Sequence, residues 1–134
     1  VNAKTIHITT AVLDEILDER ARQDAKWGEQ NHPDGTGFAG SARDADVARL
    51  ECKRQFAEGT GTWLDILNEE VAEAYAEKDP AKLRAELIQV VAVGVAWIEA
   101  IDRRLKAIKI DEQVKALEHG LPAVARTEQN TQEG

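Results

Sequence analysis

Leu83-Arg84-Ala85-Glu86-Leu87-Ile88-Gln89-Val90-Val91-Ala92-Val93-Gly94-Val95-Ala96-Trp97-Ile98-Glu99-Ala100-Ile101-Asp102-Arg103-Arg104-Leu105 is the stretch that decides the fold of this chain. Its composition is strongly helical and its apolar side chains point nearly all round the axis, the mark of a helix enclosed by others. The most apolar part, Leu87 to Ile101, is shorter than the ~20 residues a bilayer demands and carries Gln89 and Glu99. A buried helix is expected here, with no membrane partner. It is apolar on more sides than three neighbours from one small chain can cover, which predicts a homodimer or homotetramer.

Upstream, Asp79-Pro80 supplies a break and a proline suited to a helix first turn. Before it, Thr62-Trp63-Leu64-Asp65 places a capping hydroxyl three residues ahead of an acid, close to the capping-box pattern. A third helix is therefore expected over 62–78 and a fourth over 83–105. Gly59-Thr60-Gly61 ends a second helix, expected over 42–58, in which Val47 and Leu50 point one way and Cys52 and Phe56 another. Gly28, Asn31, Pro33, Asp34, Gly35, Gly37 and Gly40 crowd 28–40 into a long loop without regular structure. Helix one is expected over 10–27, capped by Thr9 or Thr10, with Leu13, Ile16 and Leu17 as its apolar stripe. Asp111 offers a cap for a short fifth helix ending at Gly120 and Pro122, and 123–134 reads as a polar tail. No strand alternation or repeat interrupts this series. The expectation is all-α: a four-helix-bundle-like fold of antiparallel helices, with a long loop after helix one.

Composition agrees and narrows the function. The chain has 134 residues, 43% apolar and 31% charged, which is enough for one domain, 1–134, with a core over about 10–119. Its 17 Lys and Arg against 25 Asp and Glu leave a formal charge of -8, a field that repels nucleic-acid phosphates and anionic membrane. A single cysteine, Cys52, excludes an internal disulfide, and the chain reads as cytoplasmic.

Two acidic pairs stand out. On a wheel of about 100° per residue, Glu70 borders the face made by Trp63, Ile66, Leu67, Val71 and Ala74, with Glu73 beside it. Glu86 shares its direction with Val90, Val93 and Trp97, and Gln89 lies about 60° away. A carboxylate on a core-facing stripe needs a shared cation, a basic partner or a raised pKa. Three carboxylates and an amide facing one another across two antiparallel helices would form an oxygen-rich cage of the kind Mg²⁺ or Mn²⁺ prefers. Two alternatives compete: Glu69-Glu70-Val71-Ala72-Glu73 is also an ordinary solvated helix face, and Glu86 could pair with an arginine such as Arg84 of a neighbouring chain. In helix one, the line of Leu13 and Leu17 continues to Arg20, Asp24 and Trp27, so the stripe turns polar toward the loop. Asp24 is thereby expected to face the acidic site. In helix two, Arg43, Arg49, Lys53 and Arg54 make a locally basic side, although the interspersed Asp44, Asp46 and Glu51 favour ordinary surface ion pairs.

Glu69-Glu70-x-x-Glu73 followed by Glu86-x-x-Gln89 resembles the E-E-x-x-E…E-x-x-D signature of the MazG-like all-α nucleoside triphosphate pyrophosphohydrolases. Gln23-Asp24-Ala25-Lys26-Trp27-Gly28-Glu29-Gln30-Asn31-His32-Pro33 is similar to the Q-D-x-K-W-G-x-Q-x-H-P stretch of small MazG-like proteins, and Trp63 to Glu70 resembles their run into the acidic motif. The resemblance spans about residues 12 to 104. It implies hydrolysis of a (d)NTP to the monophosphate and pyrophosphate, with Mg²⁺, or Mn²⁺, held by Glu70, Glu73, Glu86 and the residue at Gln89. That fourth position departs from the pattern, because an amide oxygen brings no charge. Glu69 or Glu73 would act as the base, and Gln23, Asp24, Lys26, Trp27, Gln30 and His32 would contact the substrate. Trp27 has a second reading as a plug for the end of the bundle. A catalytically impaired nucleotide- or cation-binding scaffold is the competing function.

Overall fold

In the computed structural model, which describes residues 2–120, the third helix, Trp63–Ala76, starts as its sequence dictates. Thr62 Oγ1 accepts from the Asp65 amide at 3.3 Å while Asp65 Oδ2 accepts from the Thr62 amide at 2.9 Å, the reciprocal pair of a capping box. Numbered in chain order, the helices are α1 (Ala3–Trp27), α2 (Ser41–Ala57), α3 (Trp63–Ala76) and α4 (Pro80–Glu118), and no strand occurs among the described residues. The protein is all-α, as its periodicity requires. Asp79 caps α4 by accepting from the Lys82 amide at 3.0 Å, which leaves Pro80 in the first turn, where its missing N–H costs nothing.

Two boundaries differ from the sequence expectation. α1 begins at Ala3 because Asn2 Oδ1 accepts from the Thr5 amide at 2.9 Å. Thr9 and Thr10 therefore lie inside it, Thr9 donating to Glu99 at 2.6 Å and Thr10 back to the Ile6 carbonyl at 2.7 Å. α4 runs unbroken to Glu118 and absorbs the expected fifth helix, since nothing between Leu105 and Asp111 is a helix breaker and Asp111 pairs with Lys115 one turn on at 2.8 Å. The tail expected over 123–134 lies outside the described residues.

The chain divides into two compact units, Val1–Glu99 and Ala100–Gly134. In the first, α2 and α3 are joined by a short connection and are the helices whose Cα atoms approach within 8 Å. Their closeness comes from small residues: Ser41, Ala45, Ala48 and Cys52 are buried on α2, and Ala74 is 2% exposed on α3. Val47 and Leu50, expected to define a face of α2, stay exposed because their bulk would hold the helices apart. α1 and α4 join through longer side chains. Trp63 and Trp97 stack with ring centroids 6.4 Å apart, and Val12, Leu83 and Val95 are buried. The pairs Trp63 with Trp97 and Glu73 with Glu86 make α3 antiparallel to α4, and the Thr9 bond to Glu99 ties α1 to it. In the second unit, the described residues comprise the end of α4 and its terminating turn at Gly120.

Residues 28–40 form no regular structure. The loop is held at one point, where the Gly37 amide donates to the Tyr75 carbonyl at 2.7 Å and the Phe38 ring sits 6.3 Å from that of Tyr75. Gly37 has φ +72° and the Lys78 stem lies where a Cβ would be, so this anchor requires glycine.

Candidate functional site

The α3–α4 hairpin gathers acids. Glu70 and Glu73 stand one turn apart on α3, Glu86 faces them from α4, and one carboxylate oxygen of each lies within 4.8 Å of the other two. All three side chains are half-buried. Glu70 Oε2 and Glu86 Oε2 are buried with no hydrogen-bond partner among the described residues. That is a costly arrangement, since a buried carboxylate oxygen that has lost water must regain the interaction elsewhere. Burial first, and then the charges of Glu73, Glu69 and Glu86, push the Glu70 carboxyl above its ordinary range.

Arg49 of α2 reaches one side of the cluster. Its Nε donates to Glu73 Oε1 at 3.2 Å while its other arm holds Asp46 at 2.8 Å. The hydrogen bond with Glu73 is the chief reason the guanidinium is held above its usual range. Neither Glu70 nor Glu86 has such a partner among the described residues. Arg54 behaves as an ordinary surface cation between Glu51 and Glu58. Glu69 points elsewhere: the Cys52 thiol is within hydrogen-bond reach of it, and burial with that bond pushes the thiol up to about 11. Cys52 is thus a buried, protonated core residue.

Of the residues expected to hold a metal, the structure brings together Glu70, Glu73 and Glu86. Gln89 follows Glu86 by one turn of α4 and is exposed. Asp24 is exposed on α1 and is not among the gathered acids. The reason is a rotation of α1 from the expected stripe: Val12 is 3% exposed whereas Leu13 and Leu17 are 47% and 67% exposed. The line continued from Val12 and Ile16 passes through Glu19 and Gln23 rather than Arg20 and Asp24.

That same line opens into a cleft at the end of α1. Glu19, Arg22, Gln23, Lys26, Trp27 and Gln30 line about 410 Å³. Four residues expected to contact substrate, Gln23, Lys26, Trp27 and Gln30, therefore share one cleft, while Asp24 and His32 lie outside its lining. Trp27 is 58% exposed, with Lys26 Nζ 4.7 Å from its ring centroid, so it does not plug a core. Arg22 and Gln23 both donate to Glu19, which holds that carboxyl below its ordinary range.

Two features escaped the sequence reading. The Arg49–Glu73 bond joins residues on different helices, and no local pattern distinguishes Arg49 from Arg43 or Arg54. Glu19 and Arg22 complete the cleft by their i, i+3 pairing at 2.8 Å, a signal present in the sequence but common on any charged helix.

No family model, curated protein or solved structure matches this chain. No helix among the described residues is long and apolar enough to cross a membrane.

Proposed function

We propose that this protein is a nucleoside triphosphate pyrophosphohydrolase that converts a (d)NTP and water to the (d)NMP and pyrophosphate with Mg²⁺, or Mn²⁺, at the α3–α4 acids. The observation that carries this reading is the pair of buried, unpartnered oxygens on Glu70 and Glu86 beside Glu73. A purely structural hairpin would gain by replacing them with apolar side chains. An oxygen-only donor set suits a hard divalent cation, and the residues present fit one.

Glu70, Glu73 and Glu86 would hold the metal, with the Gln89 amide as the uncharged fourth donor. Bound there, Mg²⁺ supplies neutralisation of phosphate charge and Lewis acidity toward water. Arg49 orients Glu73 through the 3.2 Å bond. Glu69 or Glu73 accepts the proton from the attacking water; Glu73 lies within the acid cluster, whereas Glu69 is turned toward the Cys52 thiol. At the end of α1, the Trp27 ring offers a face for a base, Gln23 and Gln30 offer amide donors and acceptors, and Lys26 meets phosphate. Asp24 and His32 belong to the same motif and act from the margin of the cleft. The resemblance of both motifs to MazG-like proteins supports assigning the two sites to one substrate. The formal charge of -8 argues against nucleic acid as that substrate. The enzyme is placed in the cytoplasm, consistent with its lone unpaired cysteine, and works as a homodimer or homotetramer.

The uncharged, exposed Gln89 favours a second reading, a nucleotide- or cation-binding scaffold without turnover. Pyrophosphate release from a panel of dNTPs and NTPs with Mg²⁺ or Mn²⁺ separates the two, with Glu70→Gln as control. Turnover in the wild type that falls at least a hundredfold in the control, about the loss of 2.7 kcal/mol in transition-state binding, upholds the enzyme. No turnover above the control, with a metal-dependent thermal shift retained, gives the scaffold.

A further inference from the structure

A second cavity, of about 210 Å³, lies between the end of the 28–40 loop, the first half of α2 and the second half of α3. On α3 its wall is made by Asn68, Val71 and Tyr75, about 150° round the helix from Glu70 and Glu73. It is therefore separate from the acid cluster. Facing them are Phe38, Ser41 and Asp44. The loop anchor builds this wall: the buried Ser41 hydroxyl donates to the Phe38 carbonyl at 2.6 Å, and the Gly37 amide donates to the Tyr75 carbonyl at 2.7 Å. The Phe38 and Tyr75 rings are thereby held side by side, tilted by 57° and both exposed.

The polar groups at the cavity are not spent on the fold. Asn68 is half-buried, and neither its amide nor the Asp44 carboxylate makes a hydrogen bond or ion pair among the described residues. Two arginines of α2 are engaged elsewhere, Arg49 by Asp46 and Glu73 and Arg54 by Glu51 and Glu58. The lining is rich in acceptors, namely the carboxylate, the amide oxygen and the hydroxyl oxygens, and its one charged side chain is negative. An anion would meet Asp44 with like charge, and a purely apolar ligand would strand both polar groups. A cation bearing N–H donors satisfies them, while its stem lies against ring faces that attract positive charge. The volume is below the about 300 Å³ at which sites for drug-sized ligands begin, so it suits a small headgroup. A formal charge of -8 draws cations toward the protein.

We propose that this cavity binds a small organic cation with N–H donors, an alkylammonium or alkylguanidinium head, whose charge meets Asp44 and whose stem rests on Phe38 and Tyr75. The site does not depend on triphosphate chemistry or on a metal at the acids.

The test is made on the metal-free full chain by heteronuclear NMR titration of backbone and side-chain amides. Putrescine and agmatine are the probes, butanediol is the neutral counterpart, and tetramethylammonium is a cation without N–H donors. Either amine is expected to shift the Asn68 side-chain amide and the Ser41 to Asp44 amides saturably, with Kd of about 1 mM or below. Butanediol is expected to shift none of them, and tetramethylammonium to bind at least about tenfold more weakly than the amines. Asp44→Asn is expected to weaken amine binding at least about tenfold and Tyr75→Leu about threefold or more. Glu58→Gln, an equal loss of charge on the same helix end outside the cavity, is expected to change binding less than about twofold. Shifts centred on Glu70, Glu73 and Glu86, or equal losses in Asp44→Asn and Glu58→Gln, would show diffuse attraction to an acidic surface and overturn the proposal. So would tetramethylammonium binding as tightly as the amines, or no saturable shift by about 10 mM. If Asp44→Asn alters the whole amide spectrum, Tyr75→Leu and the tetramethylammonium comparison decide.

Discussion

α2 and α4 solve the burial problem in opposite ways. α2 turns Ser41, Ala45, Ala48 and Cys52 inward and lies close against α3, leaving Val47 and Leu50 in water. α4 keeps large aliphatic residues such as Leu87 and Val91 exposed among the described residues, and approaches α3 through Trp97 and Glu86 rather than by close backbone contact. The difference teaches that close packing and apolar content are separate properties. The most apolar stretch of the sequence, Leu87 to Ile101, lies on a helix whose backbone makes no close approach to another among the described residues. The looser α3–α4 contact also leaves room between the helices for three carboxylates, which a small-residue seam like that of α2 and α3 would exclude.

The comparison can be broken at its tight side first. Ala74→Leu places three extra carbons at a position 2% exposed, and is expected to lower unfolding free energy by about 3 kcal/mol in urea titration, since neither backbone can withdraw without losing the others. Leu64→Ala, on an exposed side chain of the same helix, is expected to cost less than about 0.5 kcal/mol. Equal losses would show that α2 and α3 are no tighter than the rest.

Next in size is the acid cluster. Without divalent metal at neutral pH, Glu70→Gln is expected to stabilise the protein by about 1–2 kcal/mol, because it removes one of three like charges while keeping the shape. The same change should abolish the rise in melting temperature produced by Mg²⁺, which for the wild type is expected to correspond to about 2.7 kcal/mol at a hundredfold excess over Kd. The pH dependence has a definite sign. The folded-state pKa of Glu70 is raised above the unfolded value, so its contribution is most favourable below the unfolded pKa and is lost as pH rises through the folded one. Metal-free wild type should therefore gain stability relative to Glu70→Gln as pH falls from neutral into the carboxylate range. A difference that shrinks with rising pH would mean that a cation within the chain already neutralises Glu70.

Smaller effects sharpen the picture. Thr62→Ala removes the capping box that starts α3 and is expected to cost about 1 kcal/mol by thermal unfolding. Gly94→Ala would add about 0.8–1.0 kcal/mol of helix stability on an open face.

Much of this was legible locally. The capping residues Thr62 and Asp65, the Asp79-Pro80 break and the glycine-rich loop specify their own backbone, and the structure follows them. Of the expected α1 stripe, Ile16 is partly covered while Leu13 and Leu17 are exposed and Val12 is buried instead, because the tertiary fit selects the side with the smaller Val12. The inward face of α2 was obscured for the same reason, since alanine and serine carry little hydrophobic signal yet determine how close two helices come.

What the sequence determined by itself is the all-α class, the capped starts of α3 and α4 and the glycine-rich loop, and that Glu70, Glu73 and Glu86 sit where a core would not tolerate lone charges, because hydrogen-bonded caps and turn geometry act over a few residues. What only the tertiary structure decided is which faces meet. The convergence of those acids within 4.8 Å, the reach of Arg49 to Glu73 and the burial of Val12 in place of Leu13 depend on the volumes of side chains far apart in the chain, and no local pattern encodes a sum over distant neighbours.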